Sequence, residues 1–320
     1  HDFPDRYDYV IGNPPFFKLK ASDPRLPLYR LGAKNKNTSN ICSFFLEKSL
    51  RLAKYVALVF PKFLLNTPEF STTRAELAQK SVDASLDFGE KGFPGILVET
   101  IAIFINNLAA PANTKVFSLT HRLHLTQPQA YIFDPELPYW IIYRNQLFDS
   151  VCRKLDFDVF EVFRDRQLTN KLLSSSGELR VLKSRNLSND GKEILDIPGY
   201  DSYISYAAAK PLSVFQYLDA PNVYITPNMT YKPRMMKKPP HCVVNGSLAI
   251  LIPKGGIVPT EKQLAYFSSE EYWAFYQIAR NFQTRSLNVD ACSVFFYGLL
   301  RDEAKPAPEK FDTSVQLSFL

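Results

Sequence analysis

The sequence predicts an α/β protein whose second half is more irregular than its first. Three observations carry this expectation. Short apolar, strand-like runs alternate with segments of helical period over residues 1–110, which indicates helices packed on a sheet with parallel pairing. Composition then shifts to small residues and prolines at LAAPANTK, residues 108–115. Beyond that point short strand-like pieces, Tyr, Asn and Pro prevail, and long amphipathic helices are few. The chain has 320 residues, 46% apolar and 22% charged. That is an ordinary globular balance with room for about two domains. The expected boundaries are 1–112 and 113–320.

Each element has its own local signal. YDYVIG, residues 7–12, reads as a short strand. SNICSFFLEKSLRLAK, residues 39–54, places Ile41, Phe44, Phe45, Leu50 and Leu52 near helical spacing, with Ser39 or Asn40 as its cap. YVALVFP, residues 55–61, is a buried-strand run ended by proline. STTRAELAQK, residues 71–80, reads as a helix with a Ser/Thr start. ASLDFGE (84–90) and ETIAIFIN (99–106) are two more strands. The link between them is too short for a helical crossover, so they are expected to pair antiparallel. In the second half the clearest helix is SSEEYWAFYQIARNF, residues 268–282, with serines and glutamates at its start.

Some functional classes are set aside by composition. No apolar run approaches the roughly 18 residues needed to cross a bilayer; ILVETIAIFI comes closest, and Glu99 interrupts it. No cleavable signal pattern opens the chain. Cys42, Cys152, Cys242 and Cys292 are far apart and form no CxxC pair. The expectation is a reducing cytoplasm, with no disulfide framework and no metal. His121 and His124 in HRLH read as a surface pair. Net charge is +6. It is unevenly spread: no acidic residue occurs between Asp219 and Glu261, while Lys232, Arg234, Lys237, Lys238 and Lys254 do.

The segment with the most chemical content is Asn13-Pro14-Pro15-Phe16, directly after the first strand. Two consecutive prolines end a strand, because each lacks an N–H and has a fixed φ. The first of them biases Asn13 to an extended conformation. An amide and an aromatic ring are therefore presented rigidly just past a strand end, where open α/β sheets bind ligands.

NPPF after an apolar strand resembles the catalytic motif of the amino-methyltransferases, in particular the N6-adenine DNA methyltransferases of bacterial restriction-modification systems. SNICSFFLEKSLRLAKYVALVFPKFLLNTPEFSTTRAEL is similar to the helix and strand that come after the motif in the gamma-ordered enzymes. LDFGEKGFPGILVETIAIFI is similar to their final strand pair. The later segments RVLKSRNL, NMTYKPRMMKKPPHCVVNGSLAILIP and QTRSLNVD resemble their target-recognition part more weakly. The resemblance implies that residues 1–112 form the back half of a Rossmann-like methyltransferase sheet. Residues 113–320 would then form a mixed α+β target-recognition domain.

It also implies the chemistry. S-adenosylmethionine would be the methyl donor. The Asn13 side-chain carbonyl and the Pro14 backbone carbonyl, both beside the cofactor, would accept the two hydrogens of an adenine amine. Gripping them pulls a poorly nucleophilic nitrogen toward tetrahedral geometry. Pro15 adds rigidity, and Phe16 and Phe93 would sandwich a base flipped out of the duplex. The family's glycine-rich cofactor motif and ribose-holding acid lie upstream of NPPF and have no counterpart in this sequence. The chain is therefore expected to be the back portion of a longer protein, or to act with a second chain that supplies that half.

Sequence-specific binding to double-stranded DNA needs cations for phosphates and amides or guanidiniums for base edges. The candidates are Arg164, Arg166, Lys183, Arg185, Asn186, Lys232, Arg234, Lys237, Lys238 and Arg285. Two other readings use the same residues. One is a non-catalytic DNA-binding specificity fragment. The other is a methyltransferase acting on RNA or on protein glutamine.

Overall fold

The computed structural model describes residues 6–302 except 91, 94, 96, 97, 231 and 284–287. The chain divides into two compact units, one running to Arg144 and one starting at Asn145.

The first unit is built on a six-stranded sheet. Its strands are β1 (Tyr7–Gly12), β2 (Ala53–Pro61), β3 (Ser81–Gly89), β4 (Thr100–Asn106), β5 (Asn113–Ser118) and β6 (Leu123–Pro128). The spatial order is β1-β2-β4-β3-β5-β6. β1 is parallel to β2, β4 is antiparallel to both β2 and β3, β3 is parallel to β5, and β6 is antiparallel to β5. Hence β1, β2, β3 and β5 run the same way, and their C-terminal ends share one edge. The expected antiparallel pairing of β3 with β4 is present. β4 also inserts between β2 and β3, so those two parallel strands never touch.

Helices α1 (Arg25–Leu31) and α2 (Ile41–Leu52) lie between β1 and β2, and α3 (Ser71–Ala78) lies between β2 and β3. α2 is capped by the Asn40 side chain, which accepts from Cys42 N. Val56, Leu58 and Phe60 of β2 register with Ile105, Ile103 and Ile101 of β4. All six are at most 3% exposed, and they form the buried face of the sheet. The opposite face is open at the β1 side. Tyr9 and Ile11 are 66% and 80% exposed, Phe104 is 40% exposed, and Tyr9 stacks on Tyr55 with ring centroids 5.3 Å apart.

The sheet does not stop at residue 112. The residues of LAAPANTK turn the chain from β4 into β5, which pairs with β3, and the compact unit extends to Arg144. Proline and alanine mark a turn as readily as a linker, which is why composition alone put a boundary there.

The second unit is mixed and irregular. An antiparallel sheet joins 236–237, 224–227, 248–253 and 160–163. A second joins 202–204, 179–182 and 242–244. The expected helix spans Glu270–Ala279, with Ser269 as its cap. Its Phe275 stacks on Phe148 of the helix Gln146–Lys154, with centroids 5.0 Å apart. Among the described residues no helix is long and apolar enough to cross a membrane.

Candidate functional site

β1 delivers the NPPF corner to the edge where the parallel strands end. Asn13 is exposed, Pro14 buried, Pro15 exposed and Phe16 half-buried. Among the described residues nothing donates a hydrogen bond to the Asn13 side chain or to the Pro14 carbonyl. The exposed Asn13 side chain is an open acceptor, next in sequence to the carbonyl of the buried Pro14, on a backbone that two prolines stiffen. Phe17 is 53% exposed.

The chain just past the corner is tied down tightly. The fully buried Asn40 donates through Nδ2 to the Phe16 carbonyl at 3.0 Å, while its Oδ1 accepts from Cys42 N at 3.2 Å. Ile41 N donates to the Phe17 carbonyl and Leu19 N to the Ser39 carbonyl. Asn40 N in turn donates to Thr38 Oγ1, and that hydroxyl donates to Glu69 Oε1. Glu69 also pairs with Lys18 at 2.5 Å. Deeper in, Glu47 of α2 accepts from Lys34 N and Asn35 N, and Asn35 Nδ2 donates to the Glu69 carbonyl and to Thr73 Oγ1. The sequence shows Asn40 as a helix cap. Its grip on Phe16 is not legible there, and neither are the buried roles of Asn35 and Glu47. The one available signal is a carboxylate on an otherwise apolar stretch of helix.

The β3–β4 loop reaches the same edge. Phe93 is half-buried within it. Gly92 is pressed against its surroundings: a Cβ there would sit 2.3 Å from Thr100 Oγ1 and 3.1 Å from Phe88 Cβ. Gly89 has φ +56°, and Gly95 φ +77°. Gly89 at the loop's start and Gly95, two residues after Phe93, thus adopt left-handed backbone; Pro94 lies outside the described residues.

Beneath this loop is a cluster of charged and polar side chains. Lys62, next after β2, places Nζ 2.6 Å from Asp87 Oδ2, with side-chain exposures of 2% and 0%. Tyr143 donates its hydroxyl to the same oxygen at 2.5 Å. Burial, reinforced by the Asp87 charge, pushes the Tyr143 hydroxyl well above its ordinary range, so it remains a donor. Partial desolvation and then the Lys62 charge hold the exposed His121 below its usual range, which keeps the ring neutral at pH 7. His124 instead stacks on Phe117 with centroids 4.4 Å apart. Among the described residues no group of three or more His, Cys, Asp or Glu side chains is arranged to hold a metal ion.

In the second unit several of the expected cations converge on the 245–247 turn. Arg164 donates to Asn228 Oδ1, and Asn228 donates to the Gly246 carbonyl. Ser184 N donates to Ser247 Oγ, and Arg234 donates to the Ser184 carbonyl. Lys183 and Arg185 flank Ser184 and both lie over the Tyr200 ring, at 3.8 and 4.6 Å from its centroid. Arg166 is exposed two residues from Arg164; Lys232, two residues from Arg234, is exposed over Trp273 at 5.1 Å.

Three expected contacts are not brought there. Lys237 is exposed but pairs with Tyr224, at the far end of the strand that leads to Asn228. Lys238 is 4% exposed and spends its ammonium on the Leu218 and Pro239 carbonyls. Asn186 is fully buried and donates to Asp201 and to the Leu195 carbonyl. In this fold the last two hold their own unit together and are not presented to a partner. Sequence shows how charges cluster, not which way each side chain turns. Arg285 lies outside the described residues.

Comparison with solved structures finds partial likenesses. A type I restriction-modification methyltransferase subunit from Streptococcus thermophilus is 20% identical over 38% of this chain and 28% of its own, with a TM-score of 0.30. The type IIL restriction-modification enzyme MmeI, solved in complex with DNA, is 12% identical over 91% of this chain and 46% of its own, with a TM-score of 0.49. The type IIG restriction endonuclease BpuSI is 10% identical over the same shares, with a TM-score of 0.41. The chain therefore spans less than half the length of each. No curated protein matches the sequence. The stretch that carries β1, the Asn13–Phe16 corner, α2, β2, α3 and β3 does match a family: residues 2–93 fit the Eco57I restriction-modification methylase.

Proposed function

We propose that this chain carries the catalytic corner and the target-recognition part of a site-specific DNA methyltransferase. The enzyme moves a methyl group from S-adenosylmethionine to the exocyclic nitrogen of a flipped-out adenine, within a restriction-modification system. The observation that carries the reading is the exposed Asn13 amide, next in sequence to the Pro14 carbonyl, on a proline-stiffened backbone at the edge where the parallel strands end, with no donor to either oxygen among the described residues. The family match over residues 2–93 supports it.

Bound S-adenosylmethionine supplies an electrophilic methyl on its sulfonium. The chain's own residues do the positioning. Asn13 Oδ1 and the Pro14 carbonyl accept the two amine hydrogens, which draws the nitrogen's lone pair out of conjugation. Pro15 and the Asn40–Phe16 bond leave little backbone to reorganise in the transition state. Phe16 and Phe93 supply two faces for the extruded base. Arg164, Arg166, Lys183, Arg185, Lys232 and Arg234 supply phosphate and base contacts from the second unit.

The residues fit one side of the cofactor only. Asn13 and Pro14 suit the neighbourhood of the methyl group, and the remainder of the molecule needs a further segment. β1 pairs with β2 alone among the described residues, and its Tyr9 and Ile11 are largely exposed. A cofactor-binding segment, from the same polypeptide or a second chain, extends the sheet there by adding a strand to β1.

The test is Asn13→Ala in the assembled, cofactor-binding enzyme, read as labelled-methyl incorporation into duplex DNA. A loss of about a hundredfold or more in kcat is expected, the usual cost of removing a preorganised polar group from a transition state. Near-normal turnover refutes the role. Offering RNA and protein in parallel separates DNA from the other amine-bearing substrates.

A further inference from the structure

A buried ion pair is a weak device for stability, because taking both charges out of water costs about what their attraction returns. The pair Lys62–Asp87 is nonetheless fully enclosed, and it stands at the base of the loop that carries Phe93. Its connections explain where it acts. Lys62 N donates to the Glu99 carbonyl at 2.8 Å, at the loop's exit. Lys62 Nζ holds Asp87, at the loop's entrance. Asp87 Oδ1 accepts from Gly89 N at 2.8 Å, across the register shift between Asp87 and Gly89 in the β3–β4 ladder. Such a bulge re-aims the chain that leaves it. Tyr143 fixes the other carboxylate oxygen. One lysine therefore clasps both ends of the ten-residue link between β3 and β4, and the carboxylate it grips sets the turn from which the loop departs.

We infer that Asp87, locked by Lys62 and Tyr143, is a positioning residue that aims the Gly89–Glu99 loop and so holds the Phe93 ring where an extruded base would stack. This rests on the proposed methyltransferase reading for its functional consequence. The clasp itself does not depend on that reading.

The experiment uses two variants of the assembled enzyme. Tyr143→Phe removes one donor and keeps the ring. Lys62→Met combined with Asp87→Leu removes the pair without leaving a lone buried charge. Hydrogen exchange reports the loop; a fluorescent adenine analogue, 2-aminopurine, at the target position of a duplex reports base extrusion; kcat and duplex Kd report the reaction and recognition. In both variants residues 89–99 should exchange faster and the extrusion signal should fall. kcat should drop about tenfold or more, the fold-change matching loss of a hydrogen bond to a charged group. Duplex Kd should stay within about twofold.

Wild-type exchange in the loop in both variants overturns the inference. So does wild-type kcat, or unfolding of Tyr143→Phe, which would make the cluster purely structural. If the wild-type enzyme neither extrudes nor methylates the target base, the functional reading fails. Loop exchange in the variants then still decides whether the clasp positions the loop.

Discussion

Replacing Asn40 separates two jobs that one buried side chain performs. Its Oδ1 caps α2 by accepting from Cys42 N at 3.2 Å, and its Nδ2 holds the Phe16 carbonyl at 3.0 Å. In Asn40→Ala the cap is lost, worth about 1 kcal/mol. The bond to Phe16 is lost as well, worth roughly another 1 kcal/mol at a buried site. The sum is about 2 kcal/mol against the first unit. For a unit of this size that corresponds to a fall of about 4–8 °C in its unfolding transition. Differential scanning calorimetry reads this directly, provided the transitions of the two units are fitted separately. Asn40→Asp distinguishes the jobs. It keeps an oxygen for Cys42 N near the positive end of α2, but it turns an oxygen toward the Phe16 carbonyl where a donor stood. It should lose about half as much stability. It should still lose as much methyl transfer as Asn40→Ala, because a corner displaced by a fraction of an ångström no longer presents its two acceptors correctly; about tenfold to a hundredfold in kcat is expected. An Asn40→Asp enzyme with wild-type kcat, or an Asn40→Ala transition unmoved, refutes the argument that this residue holds the corner.

Two other outcomes depend on the placement of single residues. Arg185 is exposed over Tyr200, so Arg185→Ala should flatten the dependence of log binding constant on log salt by about one. Lys238→Met should leave that slope unchanged and instead destabilise the second unit by about 2 kcal/mol, since two carbonyls lose their donor. The reverse pattern would show that the buried lysine, not the exposed arginine, meets DNA. Cys42 is fully buried, and burial pushes its thiol up to about 12. The thiolate is the reactive form, so at pH 8 the native protein should alkylate at Cys42 far more slowly than at the half-buried Cys152 and Cys292, measured by peptide mass spectrometry. Equal rates would contradict the enclosure of α2.

The parts of the fold legible in the sequence are those set by local rules. β1, β2, β3 and β4 announce themselves as apolar runs, α2 by its period and its cap. The Asn13–Phe16 corner is legible because proline restricts its own residue and the one before it. β5 and β6 are not legible: NTKVFS and LHLTQP are short, and the prolines around them suggest a linker as strongly as a turn. The second unit resists for another reason. Its strands are two to six residues long, and its sheets join partners far apart in the chain, such as Phe163 with Ile250. No window of sequence contains both. The same holds for Lys62, Asp87 and Tyr143, which meet only after three separate elements have packed.

The two kinds of polar group at the sheet edge are placed by opposite means, and the proposed chemistry needs both. In-line transfer from a sulfonium to an amine builds positive charge on the reacting nitrogen, so acceptors that grip its hydrogens stabilise the transition state more than the neutral ground state. The acceptors at the corner, an amide oxygen and a proline carbonyl, are neutral, and covalent geometry rather than pairing holds them. The Lys62 and Asp87 charges beneath the neighbouring loop are buried and spent on one another, with Tyr143 kept protonated and His121 kept neutral. A buried pair that must stay matched tolerates few alternative arrangements. It therefore suits the holding of a loop, whereas the proline-stiffened corner suits the holding of a reactant. The division of labour comes from that difference: rigidity by backbone constraint where the substrate must enter, rigidity by charge matching where solvent and substrate stay out.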